Sequence, residues 1–573
     1  MLSEDSFIRR HKILTVLIVL VILILLLVIR VFSWRFGPHY TYSLDLMIPA
    51  DGKPTEEPGT LEVGVAKREI TIDLSRYDTW VDGNNNNEYD VWTDTLTPRQ
   101  KMLFAAVNRF AKLYDPQKAA QSGDSYVDRN GNGRFDTAWV AGFGVNRPAK
   151  GVHDPQWVRA IALRNNGVTV ALVSIDAIGL FLTDILDIRK AVNPAFKIDH
   201  IVISSTHSHE VPDTMMGMWS GPVPLLNYDP SYIASIKQKA VEAIEEAVAS
   251  LTPADMRVAT VELPMEGFVH DSRKPIVLDT NAYAWWFTRA GTQTTIATMV
   301  NWAQHPEALG GDNPYLSSDF VHYLRQGMEE GVPDPNGEKG LGGICVYFQG
   351  PLGGLANPLH VTVPKRDGSG SIEEDSFEKA EHMGYNVALN VLRALRGPNA
   401  WVNEKPMLAV AAKTFKAKMD GMFRYAIMLG FIHPGYYWGG YAKTEVNAIR
   451  IGDVMVSTVP GELYPEILIG GVEAKPGRDF EIPPVEVPPV RTEQTRYAKQ
   501  AATFGLANDE IGYIIPKSQW DTKPPFVYDR SQYGEQNSGG PEVGPAIHKA
   551  MTEMAARVNK TYENVPPRVA ASR

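Results

Sequence analysis

Three times along the chain an apolar run turns back on itself, and the returning run ends on a polar group. Residues 157–164 run into Asn165-Asn166-Gly167 and return over 168–175, closing on Asp176. Asn-Gly between two apolar runs is a strong hairpin signal. Residues 282–289 turn through 290–293 and return over 296–302, ending near His305. Residues 448–451 turn at Gly452-Asp453 and return over 454–459, ending in Pro460-Gly461-Glu462. A fourth apolar run, Ile201-Val202-Ile203, rises in polarity into Thr206, His207, Ser208 and His209. Between Asp176 and that run, residues 183–192 have a helical period, with Thr183 as the cap. Strand, helix, strand predicts a parallel crossover that brings both polar ends to one edge of the sheet. Ligand sites in such sheets form at the carboxyl ends of strands.

Residues 61–71 read as the first strand, 230–251 as an amphipathic helix covering the sheet, and 544–558 as a closing helix. Residues 344–348 form a short buried strand that runs into a glycine-rich stretch. That stretch lacks the following GK[ST], so it is not a phosphate loop. Residues 365–375 and 482–490 read as surface excursions. The predicted class is α/β, a mixed β-sheet core with flanking helices, with one body spanning 61–573.

Ahead of this body, residues 13–29 are aliphatic except for Thr15. Val31, Phe32 and Trp34 extend them to bilayer length. A transmembrane helix is therefore expected over 13–34, after a cytoplasmic stretch 1–12 and before a linker 35–60. Arg9, Arg10 and Lys12 favour a single-pass membrane protein whose body lies outside the cytoplasm, on a periplasmic or extracellular face. No small-x-small site follows the apolar run, which favours an anchor over a cleaved signal peptide.

Charge and composition narrow the partners. The net charge of −10 over 573 residues, with no basic stripe, argues against nucleic acid. Cys345 is the only cysteine, so no intrachain disulfide forms. Two similar segments recur at 78–140: Asp82, Asn84, Asn86, Asp90 and Asp128, Asn130, Asn132, Asp136. Each places Asp or Asn at loop positions one, three, five and nine, the oxygen spacing of an EF-hand-like calcium loop. Position twelve holds Thr93 and Trp139 instead of an acid. Structural calcium is expected there; paired Asn/Gly turns are the plainer reading.

In a strand, residues two apart share a face, so His207 and His209 are expected to point the same way. His207, His305 and Glu462 supply two imidazoles and one carboxylate, a set that suits zinc with an open position. Each alone has an ordinary explanation, His305 as a satisfied core histidine and Glu462 as a helix cap. Asp176 is expected to orient a strand-end network, while Glu210, Glu307 and Asp312 stand near the same motifs.

Several stretches follow in a recognisable order: GVAKREIT at 64–71, GVHDPQWVRAIAL at 151–163, ALVSIDAIGL at 171–180, SSTHSHEVPD at 204–213, NWAQHPE at 301–307 and VPGELYPEI at 459–467. Together they resemble the catalytic domain of the neutral/alkaline non-lysosomal ceramidases. The resemblance implies a zinc-dependent amidohydrolase acting on ceramide or a related N-acyl lipid. It implies His207, His305, Glu462 and Tyr513 as zinc ligands, Tyr513 matching the tyrosine of the segment 508–513. His209 matches the family's acid–base or hydrogen-bonding histidine, Tyr533 its amide-polarising tyrosine and Arg273 its substrate-side arginine. Glu510 replaces the first tyrosine of the family's pair, and Glu210-Val211-Pro212-Asp213 replaces its glycine-rich run. These departures keep two further readings open: a zinc hydrolase of the same fold on another amide or ester, and a calcium-stabilised surface binding protein.

Overall fold

The computed structural model describes residues 21–29, 39–50, 58–111, 114–220, 229–334, 336–428, 440–474, 482–527 and 533–562. Two sheets form the centre. The larger has nine strands. Eight of them are β1 (Leu61–Glu69), β2 (Trp157–Asn165), β3 (Val168–Ile175), β4 (His200–Ser205), β5 (Thr252–Glu262), β6 (Asn281–Arg289), β7 (Thr295–Trp302) and β8 (Ile344–Gln349). Their spatial order is β8-β7-β6-β5-β1-β2-β3-β4. Only the outer pairs β3–β4 and β7–β8 are parallel, so the sheet is mixed as expected. The smaller, five-stranded sheet runs from Asp45–Ile48 through β9 (Leu408–Lys418), β10 (Tyr441–Ile451) and β11 (Val454–Thr458) to β12 (Gln500–Phe504).

The period-two side-chain rule explains the layering. In β3, Val168, Val170 and Leu172 join a core shared with Val410 of β9, Ile449 of β10 and Val456 of β11. Ala171, Val173 and Ile175 face the other way, onto Ile233, Ile236 and Ala240 of helix α2. The helices include, in chain order, α1 (Leu182–Ala191), α2 (Pro230–Ala249), α3 (Phe320–Glu329), α4 (Phe377–Arg396), α5 (Gly421–Met428) and α6 (Val543–Asn559). α2, α3 and α4 cover the outer face of the large sheet, and α6 that of the small one. Phe348 of β8 stacks on Phe504 of β12, ring centroids 4.1 Å apart, at the seam between the sheets. At Gly64 of β1 a Cβ would stand 2.0 Å from the Ala247 carbonyl, so glycine admits α2 against the strand.

The β2–β3 hairpin turns at Asn166 and Gly167, both at positive φ, the conformation that Asn-Gly favours. The strand–helix–strand crossover β3–α1–β4 is parallel. Its cap differs from expectation: α1 begins at Leu182 after Phe181, and no side chain of that turn caps it. Asp509, far along the chain, instead accepts from the Leu182 N–H at 2.9 Å, freeing Thr183 of that duty.

The expected linker at 35–60 is corrected in part. Asp45–Ile48 pairs antiparallel with β9, so the body begins before residue 61. Lys443 Nζ donates to the carbonyls of His39, Tyr40 and Tyr42, fastening that stretch further. Residues 21–29 are helical, but among the described residues no helix is long and apolar enough to cross a membrane. The rest of the expected span over 13–34, and the stretch 1–12, lie outside the described residues.

Candidate metal centre and cleft

Three of the four polar strand exits, those of His207, His305 and Glu462, meet at one end of the paired sheets, but not by the route expected for the two histidines. β4 ends at Ser205, and His207 takes a left-handed φ of 64°. Its N–H donates to the Ala177 carbonyl at 2.9 Å. The turn, rather than the pleat, brings the His207 and His209 rings to 4.9 Å, nearly perpendicular at 78°. Left-handed backbone at a non-glycine residue is costly and persists only where surrounding bonds hold it.

Both proposed histidine ligands have one nitrogen committed. His207 Nδ1 lies 2.6 Å from the Ile178 carbonyl, and His305 Nδ1 lies 2.7 Å from that of Ala356. A carbonyl only accepts, so Nδ1 carries a proton, and in the neutral ring each Nε2 presents a lone pair. Those lone pairs face Glu462 Oε2, at 3.6 Å from His207 and 3.1 Å from His305. Three electron-pair donors aimed at one another are what a cation would reconcile, and this is the ligand orientation of metal-binding histidines. Burial holds the His207 pKa down to about 4. At His305 burial also opposes charge, but Glu462 and Glu307 outweigh it and the pKa rises. Burial opposes charge on Glu462 too, yet the His207 and His305 rings win and keep its pKa low.

Tyr513 reaches the same carboxylate. Glu462–Leu463 pairs in parallel with Tyr513–Ile514, and the tyrosine hydroxyl hydrogen-bonds Glu462. The loop before Tyr513 is clamped onto β4 by Asn508, whose N–H donates to the Ile203 carbonyl at 2.7 Å. Its side-chain Oδ1 accepts from the Ile203 N–H at 2.8 Å.

His209 completes a group with His207 and His305 whose ligand atoms all lie within 4.8 Å of one another, enough to hold a metal ion. Glu307 Oε2 lies 3.2 Å from His209 Nδ1 without hydrogen-bond alignment, so both ring nitrogens are buried and unpartnered among the described residues. Burial, then the neighbouring imidazoles, holds the His209 pKa well below its ordinary value, while burial pushes Glu307 up to about 7. The ring fits only because residue 142 is glycine: at φ +100° its Cβ would meet His209 Cγ at 2.4 Å.

A cleft with a cavity volume of about 110 Å³ opens over these groups. Phe181, Met215, Met218, Trp219, Phe423 and Ile427 wall it. Tyr533 stands at its lining, 56% exposed, with its ring 6.1 Å from that of Tyr513.

Arg273 does not join this group. It is 1% exposed and does not line the cleft. Its guanidinium donates to the carbonyls of Lys274 and Gln519 and to Glu535, and lies over the Tyr464 ring. The substrate-side role expected of Arg273 is therefore corrected to a buried ion pair behind the cleft. Asp176 forms the expected strand-end network, a bidentate buried pair with Arg325 at 3.0 and 2.8 Å. Glu210 is likewise held, by Arg147 and Asn313 at 3.1 Å each.

The two Asp/Asn loops are paired by a short hairpin, Thr79–Val81 with Ser125–Val127. Each is braced by the aspartate four residues before the other. Asp124 accepts from the N–H groups of Gly83 and Asp90, and Asp78 from those of Arg129 and Asp136. Within them Asn84 and Asn86 donate to Asp90, and Asn130 and Asn132 to Asp136. The loops differ in one respect. The Lys150 ammonium, from outside both loops, sits 2.9 Å from both Asp82 and Asn87 in the first, whereas the cation of the second is its own Arg134, 3.3 Å from Asp136.

The cleft walls and Gly142 had no counterpart in the sequence reading. The run Met215-Met216-Gly217-Met218-Trp219 was the available signal, since methionine and tryptophan clusters mark adaptable apolar surfaces.

No family model and no curated protein matches the chain. Solved structures do. A ceramidase complexed with C2 superposes over 90% of this chain and 77% of its own, with a TM-score of 0.56 at 14% identity. The neutral ceramidase from Pseudomonas aeruginosa superposes over 90% and 76%, with the same TM-score and identity. The chain is thus a two-sheet α/β protein with a buried histidine–carboxylate centre under an apolar cleft. Its fold is that of the neutral ceramidases.

Proposed function

We propose that the protein is a zinc-dependent hydrolase that cleaves the amide bond of ceramide or a related N-acyl lipid. The observation that carries this reading is the convergence of two histidine Nε2 atoms and the Glu462 carboxylate beneath an apolar cleft. His207, His305, Glu462 and Tyr513 would hold the zinc. Bound there, zinc supplies a Lewis acid for the amide carbonyl and lowers the pKa of water.

The chain's own residues supply the rest. His209, neutral and beside the centre, takes a proton from the attacking water and returns one to the leaving amine. Tyr533 donates its hydroxyl to the oxyanion as it develops. Phe181, Met215, Met218 and Trp219 bury acyl chain, and their burial excludes competing water. Residues 13–34 anchor the body outside the cytoplasm, beside the bilayer in which such substrates reside. Of the two Asp/Asn loops, the second, with Asp128, Asn130, Asn132 and Asp136, takes calcium, because Lys150 holds the leading Asp82 of the first while Arg134 pairs with Asp136, at the far end of the second.

The test is hydrolysis of a fluorescent N-acylsphingosine by the zinc-loaded full chain, with His207→Ala beside it. Turnover that disappears in the variant supports the reading. An absence of turnover on any N-acyl lipid, with zinc bound, refutes it.

A further inference from the structure

One carboxyl in the cleft has no part in the chemistry above. Glu510 lines the cleft with His207, Glu462 and Tyr513 and is 5% exposed. Its Oε1 accepts from the Gly512 N–H at 2.8 Å, which fixes the direction of the group. Its Oε2 is buried and meets no hydrogen-bond partner among the described residues. The side chain has little room to turn away. Behind it lies Gly179, where a Cβ would stand 2.9 Å from Glu510 Cγ and 2.8 Å from the Met215 sulfur. An oxygen removed from water and left unpaired is costly, and such groups are retained where a ligand completes them. The neighbouring walls are Ile178, Phe181 and Met215, none of which donates.

We infer that Glu510 is a specificity-determining residue whose Oε2 accepts a hydrogen bond from a donor on the substrate's headgroup, a hydroxyl or an ammonium. This rests on the amidase reading of the same cleft. A site built to bond a substrate donor rejects the analogue that lacks it more strongly than an apolar wall rejects a wrong shape. Glu510 would thus separate N-acyl amines bearing such a donor from plain fatty amides that fit the cleft equally well.

The experiment uses the full chain and three N-acyl amines with one acyl group: a headgroup hydroxyl, its methyl ether, and an ammonium in its place. Wild type and Glu510→Gln are compared by kcat/KM, and the zinc-free proteins by calorimetric Kd for the three corresponding free amines. Wild type is expected to favour a donor-bearing headgroup over the ether by about 10- to 100-fold, and Glu510→Gln to bring that ratio within about threefold. A preference for the ammonium that the glutamine variant loses identifies a cationic headgroup; an equal loss for the hydroxyl identifies a neutral one. An unchanged ratio in the variant, or none in wild type, overturns the assignment. If Glu510→Gln does not fold, Glu510→Asp, which withdraws the carboxyl by one methylene, is judged by the same ratio. If wild type hydrolyses none of the amides, the amidase reading fails. Discrimination among the free amines then still decides Glu510.

Discussion

His305 Nε2 and Glu462 Oε2 lie 3.1 Å apart although 157 residues separate them along the chain. The two belong to different sheets, His305 after β7 and Glu462 after β11. Their meeting depends on the seam between those sheets. Asn301 Nδ2 donates there to the carbonyls of Phe348, Gln349 and Thr503, tying β7 and β8 to β12.

Gly142→Ala separates the two possible duties of His209. The new Cβ would meet His209 Cγ at 2.4 Å in a backbone conformation that disfavours alanine, so the ring must move. Turnover is expected to fall by about 100-fold or more, the range of a lost acid–base group. Zinc content is expected to stay unchanged. Zinc lost together with activity would make His209 a ligand.

Tyr533→Phe removes one hydroxyl from a half-exposed side chain, so folding is unaffected. A drop in kcat of about 100-fold with KM nearly unchanged is expected, the signature of a donor used mainly in the transition state. A change in KM alone would assign Tyr533 to binding.

The Arg189–Glu445 pair joins α1 to β10, with Arg189 also donating to the Ile201 carbonyl. Burial opposes charge on Glu445, but Arg189 outweighs it and draws its pKa down to about 2. The pKa is depressed in the folded state, so the stability it contributes is complete above the ordinary value near 4.5 and is lost as pH falls toward 2. Burial likewise holds His200 down to about 4 from 6.5, adding a loss between those two pH values. Thermal midpoints of the full chain should therefore fall in two stages on acidification. Glu445→Gln is expected to cost about 3–5 kcal/mol at neutral pH, because it strands a buried guanidinium, and to erase the lower stage. A lower stage that survives in the variant would contradict this attribution.

Calcium titration of the zinc-loaded chain should find one site in the Asp/Asn module. Asp128→Ala should abolish it and Asp82→Ala should leave it, since Lys150 neutralises the leading Asp82 of the first loop, while Arg134 pairs with Asp136 at the far end of the second. Two equivalent sites, or retention in Asp128→Ala, would refute the distinction between the loops.

Much of the scaffold was legible because each signal was local. Asn166-Gly167 dictates its turn through two positive φ angles, and the apolar runs of β2 and β3 have the length and β-branching of buried strands. The site was legible only in part, and for a physical reason. His207, His305 and Glu462 were read from the polar ends of apolar runs and Tyr513 from the resemblance of its flanking motif, and the four do converge. The strand period misjudged how His207 and His209 meet, because a left-handed turn is set by bonds to Ala177 and Ile178 on another strand end. Arg273 was misplaced because nothing near it in sequence announces Glu535, its partner 262 residues on. Gly142 was overlooked because one glycine in a loop looks like any other until a ring packs against it.

The central claim is that these distant residues form one zinc site, and equilibrium zinc binding by the full chain tests it most directly. Wild type, His305→Ala and Glu462→Ala would be dialysed against buffered zinc and assayed for metal. About one zinc per wild-type chain, and little or none in either variant at the same free zinc, is the predicted result. Zinc that persists in both variants, or fails to bind wild type, would contradict the account.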